Sequence, residues 1–384
     1  MLFQPPLSAR YIEMSDEELR AGIGAFKRRL GKRLVILGHH YQQDDVIEFA
    51  DLTGDSLKLS QLAAEQAEAE YIVFCGVHFM AESADIVGGD KQAVILPDLS
   101  AGCSMADMAH IDQAEAAWES LTRAAGMPIT PITYVNSSAA VKAFVGNADG
   151  ACCTSGNART VLDWALHGAT PDGPDDAGHK VLFLPDQHLG RNSAHALGWP
   201  LESMVLYDPE LPEGGLTPEQ VRAARFILWK GHCSVHQLFT LEQVAEVRAS
   251  DPQCRVIVHP ECPWEVCQQA DDVGSTENIL KAVGDSAAGA SWAVGTEVNM
   301  VNRLAATHPD KHVRSLAGIQ CLCTTMYRID LPHLYWVLEQ LVEGRVVNRI
   351  VVDEETKKRS RIALNRMLEL RPAVQHSRPR PRRA

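Results

Sequence analysis

The sequence predicts an α/β fold built from three similar units, each a parallel sheet with helices on both faces. Apolar, β-rich runs alternate with helical segments along most of the 384 residues, which is the pattern of βαβ units. The same order of strand, helix, strand, helix and strand (βαβαβ) is found three times. A chain of this length is also too long for one ordinary hydrophobic core. We therefore expect three homologous αβα domains around a pseudo-threefold axis with a central active site, although weak similarity between ordinary βαβ units can also arise by chance.

Each unit begins with a strand that leads, through a short polar segment, into a helix. The three first strands are RLVILGHH (33–40), PITYVN (131–136) and CRVIVHPE (254–261). The helices that follow begin near Ser56, Ser155 and Ser275. Serine is favoured at the N-cap of a helix, and Ser56 is a plausible N-cap.

Each unit continues with a second strand that ends at a polar residue and a third strand that closes on a cysteine. The second strands lead to His78, His188 and Glu297, and the third strands lead to Cys103, to Cys233, and to Cys321 or Cys323. The middle unit carries an insertion between its second and third strands.

The three repeats place the domain boundaries. The predicted divisions are a first αβα domain with the amino-terminal segment (1–110), a second αβα domain (111–235), a third αβα domain (236–345), and a carboxy-terminal helix with a basic, disordered tail (346–384).

Composition and charge exclude several classes of function. A formal net charge of -13 disfavours non-specific nucleic-acid binding, which needs a basic surface. The basic run from Arg378 to Arg383 is Pro-rich, terminal and typical of a disordered tail. No apolar stretch is long enough to cross a membrane, and the amino terminus lacks the pattern of an export signal. We expect a cytoplasmic protein.

The cysteines at the ends of the three third strands are candidate metal ligands. Ligands bind outside the carboxyl ends of parallel strands, so three units around one axis would bring the three thiols into one cavity. Ten cysteines in a reducing compartment are more often core residues, ligands or nucleophiles than disulfides. Three thiolates could hold zinc with an open fourth position or three irons of a cubane cluster. The spacing leaves both open, but an open iron would act as a Lewis acid suited to dehydration.

Polar residues at the other strand ends suit a small polyanionic substrate, because hydroxyls and N–H groups at helix starts bind carboxylate and phosphate oxygens. These candidates are His39, Tyr41, Ser56, Tyr134, Asn136, Ser155, His236, His259, Glu261, Ser275 and Thr276. Glu261 is the strongest candidate for the general base, since a closed cavity could raise its pKa. Tyr41 and Tyr134 could relay protons. The alternatives are helix capping for the hydroxyl residues, a solvated loop for Glu261 and pocket walls for the tyrosines.

Motifs along the chain resemble those of the quinolinate synthase family of NAD biosynthesis. The similar segments, in the order of the family, are GHHYQ, GDSLKLS, CGVHFMAESADI, LPDLSAGCSMADM, YVNSSAAVKA, CCTSGNA, FLPDQHLG, WKGHCSVH, HPECP, GSTENI, GTEVNMVNRL and CTTMYRID. The resemblance covers about residues 30 to 345.

This resemblance implies a transferase that condenses iminoaspartate with dihydroxyacetone phosphate, giving quinolinate, phosphate and water. It also implies one 4Fe-4S cluster with a cysteine ligand from each domain. The matching ligands are Cys103, Cys233 and, from the C-x-x-M spacing, Cys323, with Cys321 as the competing residue. Tyr41, Glu261 and Tyr134 resemble catalytic residues. The implied substrate pocket contains His39, Ser56, Tyr134, Asn136, Ser155, His236, His259, Glu261, Ser275 and Thr276.

The resemblance further suggests an aspartate oxidase or dehydrogenase partner that supplies iminoaspartate, with no nucleic-acid or membrane partner. The chain departs from the family pattern at His40 and in the stretch FVGN, which we expect to lengthen a loop before Ala148 and Asp149. Two other functions remain open. Another hydro-lyase with an open-iron cluster would use the same cysteines on a single hydroxyacid, and a non-catalytic iron-sulfur sensor would need no polar pocket.

Overall fold

The computed structural model describes residues 4–66, 68–89, 91–167, 178–318 and 321–370. The predicted basic tail lies outside these residues. The strands, in chain order, are β1 (Leu34–His39), β2 (Leu52–Gly54), β3 (Tyr71–Cys75), β4 (Ala93–Ile95), β5 (Ile129–Tyr134), β6 (Ala151–Cys153), β7 (Lys180–Leu184), β8 (Met204–Tyr207), β9 (Phe226–Trp229), β10 (Arg255–Val258), β11 (Asp272–Val273), β12 (Ser291–Gly295), β13 (His312–Ser315) and β14 (Arg349–Ile350).

Helices alternate with these strands. They are α1 (Ala9–Ile12), α2 (Asp16–Leu30), α3 (Asp44–Ile47), α4 (Ser56–Glu65), α5 (His78–Val87), α6 (Ser104–Asp107), α7 (Ile111–Ala124), α8 (Ala139–Asn147), α9 (Ala158–Leu166), α10 (Gln187–Ala196), α11 (Pro218–Ala223), α12 (Leu241–Ser250), α13 (Trp264–Gln269), α14 (Thr276–Gly284), α15 (Val298–Thr307), α16 (Leu331–Val342) and α17 (Glu354–Glu369). Within the described residues, none of these helices is long and apolar enough to span a bilayer.

The strands form three sheets, which confirms the predicted α/β class. Their orders are β14-β4-β3-β1-β2, β6-β5-β7-β9-β8 and β11-β10-β12-β13. All neighbouring strands pair in parallel except β14, which is antiparallel to β4. Parallel sheets are covered on both faces, which explains why β3, β5 and β7 are buried along their whole lengths.

The same four-strand order occurs in all three sheets. In each, the first strand of the unit (β1, β5 or β10) lies between a short strand (β2, β6 or β11) and a longer strand (β3, β7 or β12). The next strand outward is β4, β9 or β13. The sequence predicted three strands per unit and missed β2, β6 and β11. These strands span two or three residues, too few for a periodic pattern to reveal them.

The structure of the middle unit agrees with one expectation, the insertion, and contradicts another, the longer loop. The insertion was expected, and it supplies β8, which pairs with β9 at the edge of the sheet. The expectation that FVGN extends a loop is wrong, because these four residues form the last turn of α8. Gly146 is needed there, since a Cβ at this position would lie 2.2 Å from the carbonyl oxygen of Arg359 in α17.

The segment that follows the third sheet packs against the other two. α16 contacts α2, and a Cβ on Gly22 would lie 2.2 Å from the Tyr335 ring. β14 then extends the first sheet, and α17 packs along α8 of the middle unit. The predicted carboxy-terminal helix is therefore present, but the strand before it was not predicted.

Candidate active site

One cavity is lined by residues that follow strands of all three sheets. The sequence-predicted residues that line it are His39, Tyr41, Ser56, Cys103, Tyr134, Asn136, Ser155, Cys233, His236, His259, Glu261, Thr276 and Cys323. These residues are distant in the sequence, and they meet because parallel strands place their following loops at one edge of each sheet.

Ser275 is the predicted pocket residue that lies elsewhere. It lines a neighbouring cavity together with Ser155, which borders both. Ser275 is the N-cap of α14, and its hydroxyl accepts a hydrogen bond from the Asn278 backbone N–H at 3.4 Å. Capping therefore accounts for its orientation.

The expected cap at Ser56 is also shifted by one residue. Asp55 is the N-cap of α4 and accepts a hydrogen bond from the Lys58 backbone N–H at 2.9 Å. Ser56 is the first residue of that helix and lines the cavity. An anionic group in the cavity would thus face the N-terminal end of α4 as well as that of α14.

Backbone hydrogen bonds place Cys103, Cys233 and Cys323 in equivalent positions. The carbonyl of each cysteine accepts a hydrogen bond from the N–H four residues later, at 3.2, 3.0 and 3.0 Å respectively. The carbonyl two residues before each cysteine also accepts a hydrogen bond, from the first backbone N–H of α5, α10 or α15. These second bonds join His78 to Ala101 at 2.8 Å, Gln187 to Gly231 at 3.0 Å, and Val298 to Cys321 at 3.2 Å.

This equivalence groups Cys323, and not Cys321, with Cys103 and Cys233. Cys321 occupies the position of Ala101 and Gly231, and its sulfur lies 3.2 Å from the Ser315 hydroxyl. Cys323 lines the cavity with the other two cysteines, whereas Cys321 does not. From the sequence alone, the choice of Cys323 over Cys321 depends only on the resemblance to the family.

The three cavity thiols have the chemistry of a soft-metal site. Burial raises the pKa of Cys103 to about 12 and raises the pKa values of Cys233 and Cys323. Cys323 contributes to the raised pKa of Cys103, and both Cys103 and Cys323 contribute to that of Cys233. Without a metal they are neutral, and binding a metal would require them to lose their protons.

The spacing of donor atoms bears on whether the three cysteines could share a single zinc ion. Among the described residues, three donor atoms lie within 4.8 Å of one another at Cys233, His236 and Glu261, and this group lacks Cys103 and Cys323. Three sulfurs on one zinc at 2.3 Å would lie about 3.8 Å apart. The sulfurs of Cys103, Cys233 and Cys323 do not all lie within 4.8 Å of one another, which disfavours one zinc ion shared by the three.

Glu261 is at the centre of a buried network with two histidines. The His236 Nδ1 lies 2.7 Å from a Glu261 carboxylate oxygen, and the His236 Nε2 lies 3.0 Å from the Thr296 hydroxyl. The rings of His236 and His259 stack with their centroids 4.4 Å apart. Burial lowers the pKa of His259 to about 3, so its ring is neutral at physiological pH.

The expected raised pKa of Glu261 is wrong. Burial does act to raise the pKa of its carboxyl, but His236, His259 and the Tyr134 hydroxyl outweigh burial and place the pKa below the usual range. Hydrogen bonds to an ionised carboxylate favour the charged form. Glu261 is therefore an ionised partner that orients His236, and the histidine and carboxylate can hold or accept a proton as a pair.

The two tyrosines remain proton donors. The Tyr41 hydroxyl lies 2.8 Å from the Thr296 hydroxyl and 3.2 Å from that of Thr276. Burial, followed by the negative charge of Glu261, raises the pKa values of Tyr41 and Tyr134 well above the usual range. Thr296 therefore links Tyr41 to His236 in one chain of hydrogen bonds.

Sequence reasoning missed Thr296 and the mainly apolar part of the cavity wall. Thr296 directly follows β12 and precedes Glu297, so the strand end was located to within one residue. The unpredicted lining residues are Asp55, Val77, Phe79, Met80, Met105, Thr154, Val235, Thr325 and Met326. Most are apolar, and apolar residues that line a cavity have no sequence signal that separates them from the core.

His39 is held as a neutral ring at the end of β1. Its Nδ1 accepts a hydrogen bond from the Tyr41 backbone N–H at 3.1 Å, and its ring packs edge-on against the Tyr41 ring. Burial, with His40 and Arg303 nearby, lowers the pKa of His39 to about 3. His39 can thus donate or accept a hydrogen bond without adding charge to the cavity.

A cavity at the strand ends of parallel sheets that brings acid, base and thiol groups together is typical of an α/β enzyme. The chain matches the family described as Quinolinate synthetase A protein over residues 21–369. A quinolinate synthase of Anoxybacillus flavithermus is 53% identical over 93% of this chain and 95% of its own length. Those of Acidobacterium capsulatum and a Nocardioides species are 54% and 55% identical, each over 94% of this chain and over 95% and 91% of their own lengths. The chain belongs to the quinolinate synthetase A family.

Proposed function

We propose that the protein condenses iminoaspartate with dihydroxyacetone phosphate to form quinolinate, releasing phosphate and water. The observation that carries this proposal is the meeting of three equivalent cysteines with the Tyr41, Thr296, His236 and Glu261 network in one cavity. Family membership supports the product, and the hydrogen-bond donors of the cavity suit the carboxylates and phosphate of the substrates.

Cys103, Cys233 and Cys323 would hold a 4Fe-4S cluster. When bound, it would supply an open iron as a Lewis acid for the dehydration. The three sulfurs are soft ligands that suit iron-sulfur clusters, and the walls around them include apolar residues such as Met105, Val235 and Met326 that restrict water.

The residues of the chain would bind the substrates and move the protons. Ser56, Ser155 and Thr276 lie at or near helix starts, where phosphate and carboxylate oxygens are favoured. The pair of His236 and Glu261 would accept a proton during formation of the carbon-carbon bond. Tyr41, held by Thr296 and Thr276, would donate a proton to an oxygen that leaves.

A single metal ion at Cys233, His236 and Glu261 is the competing arrangement, since these donor atoms lie within 4.8 Å of one another. Metal analysis of protein purified without oxygen separates the two. About four iron and four sulfide per chain are expected, with quinolinate formed from both substrates. Stoichiometric zinc would contradict the cluster.

Substitution of single cysteines tests the ligand set. Cys103→Ser, Cys233→Ser and Cys323→Ser should each lose the cluster and quinolinate formation, while Cys321→Ser should keep both. A Cys103→Ser protein with a full cluster and full activity would overturn the proposal. Loss in Cys321→Ser with retention in Cys323→Ser would exchange the roles of these two residues.

A further inference from the structure

Two fully buried acids occupy equivalent positions, each at the start of a helix. Asp186 is the N-cap of α10 and Glu297 is the N-cap of α15, and both are 0% exposed. The Leu189 backbone N–H donates to Asp186 Oδ1 at 2.6 Å, and that of Met300 donates to Glu297 Oε2 at 3.2 Å. Asp186 thus fixes the start of α10, and Glu297 fixes the start of α15.

The helix start that each acid caps is hydrogen-bonded to a segment that carries one of the proposed ligands. The Gln187 N–H, next to Asp186, donates to the Gly231 carbonyl at 3.0 Å, and the Val298 N–H, next to Glu297, donates to the Cys321 carbonyl at 3.2 Å. The chain around Asp186 is further tied to the Cys233 segment by a bridge between Asp186 and Gly231. The helix starts that the two acids cap are therefore joined to the cysteine segments through the backbone.

The other oxygens of the two acids, Asp186 Oδ2 and Glu297 Oε1, are buried without a hydrogen-bond partner among the described residues. Burying a carboxyl oxygen without a partner costs free energy. Helix capping does not explain this cost, because exposed Asp353 caps α17 through the Thr356 N–H. The cost suggests a local role beyond capping.

The first sheet lacks such an acid. Val77 is the N-cap of α5 and makes no side-chain cap bond. The Cys103 segment does have the equivalent backbone hydrogen bond, from the His78 N–H to the Ala101 carbonyl, but the helix that makes it begins without a capping acid. The chain therefore contains its own comparison, with two cysteine segments held by an acid and one without.

We propose that Asp186 and Glu297 are positioning residues that hold Cys233 and Cys323 at the cavity before a metal binds. This inference rests on the proposed role of these cysteines as ligands. Each acid acts on its own cysteine, so the effects of replacing them are separate.

Alkylation of single thiols in the metal-free, full-length protein tests the inference without need of a cluster. Asp186→Ala should raise the labelling rate of Cys233, and Glu297→Ala that of Cys323, each by about tenfold, which corresponds to about 1.4 kcal/mol. Mass spectrometry of the digested protein reports every cysteine separately. Asp186→Asn and Glu297→Gln keep an acceptor for the backbone N–H groups and should label like the wild type.

Cys103 and the core cysteines Cys75 and Cys152 are internal controls. Their rates should stay unchanged in both alanine variants. Equal acceleration of all cysteines would mean general opening of the protein and would overturn a local role, as would unchanged labelling of Cys233 and Cys323. Asp353→Ala removes the cap of α17, which is formed through the Thr356 N–H, and should alter the rates of neither Cys233 nor Cys323.

Iron content separates this inference from the proposed function. Reconstituted Asp186→Ala should lose iron faster than the wild type, and Asp186→Asn should retain it. Wild-type protein that takes up no iron would remove the cluster proposal, while selective labelling would still establish the positioning of the two cysteines.

Discussion

Replacement of Glu261 by glutamine tests the centre of the proposed site. The Glu261 carboxylate is buried and lies 2.7 Å from the His236 Nδ1. Glutamine has the same shape and can still accept this hydrogen bond, but it cannot hold a negative charge or a proton. Because general acid and base groups contribute about 10²- to 10⁴-fold to a rate, quinolinate formation should fall by that factor, or about 3 to 5 kcal/mol in the barrier.

The cost to folding should be smaller. A hydrogen bond to a charged group contributes about 1.5 to 3 kcal/mol, and a neutral bond that remains in place retains part of it. Iron content should stay at the wild-type level, because Glu261 is not a proposed cluster ligand. Quinolinate formation under anaerobic conditions, iron analysis and urea unfolding of the same preparations measure the three quantities.

Glu339→Gln is a matched control. Glu339 is also a buried carboxylate, and it accepts a hydrogen bond from the Tyr11 hydroxyl at 2.7 Å, but it does not line the cavity. Its variant should keep the wild-type rate. If Glu261→Gln forms quinolinate at more than about a tenth of the wild-type rate with full iron, the role assigned to the pair is refuted.

Three further outcomes are expected. Tyr41→Phe removes the hydroxyl between Thr276 and Thr296 and should slow quinolinate formation by about 10²-fold, with wild-type kinetics contradicting a proton-donor role. The pKa of His39 is lowered from 6.5 to about 3, so the unfolded chain binds a proton that the folded chain does not. The free energy of unfolding is therefore unaffected by His39 above pH 6.5 and decreases as the pH falls toward 3. Between pH 7 and 4 the wild type should lose about 3 kcal/mol more than His39→Asn in urea unfolding, and parallel pH curves would exclude this. Gly146→Ala should lower the free energy of unfolding by about 1 to 3 kcal/mol by separating α8 from α17, whereas unchanged stability would show that the contact can relax.

The sequence predicted the fold class and most of the cavity because both depend on strand ends. Strands such as β1, β5 and β10 are apolar runs that end at polar residues, so their ends could be located. Parallel pairing then brings those ends together whatever the details of packing. The short strands and β14 could not be found, since two or three residues carry no periodicity.

Other properties of the site depend on contacts that only the folded chain creates. The pKa of Glu261 was expected to rise through burial, but its direction is decided by histidines and a tyrosine from other parts of the cavity. Ser275 and Ser56 look alike in the sequence, yet one is an N-cap turned to its helix and the other lines the cavity. The equivalence of Cys323 with Cys103 and Cys233 likewise required the backbone hydrogen bonds.

The return of the last segment to the first sheet affects how this protein can be made. β14 supplies Arg349 and Ile350 to pair with β4, whose residues leave the ribosome some 250 positions earlier. Until then the edge of that sheet has unpaired backbone groups, which are a template for contacts with other chains. The first unit to be synthesised is thus among the last to be completed, and a ribosome that stalls before residue 349 would release a chain with an open edge.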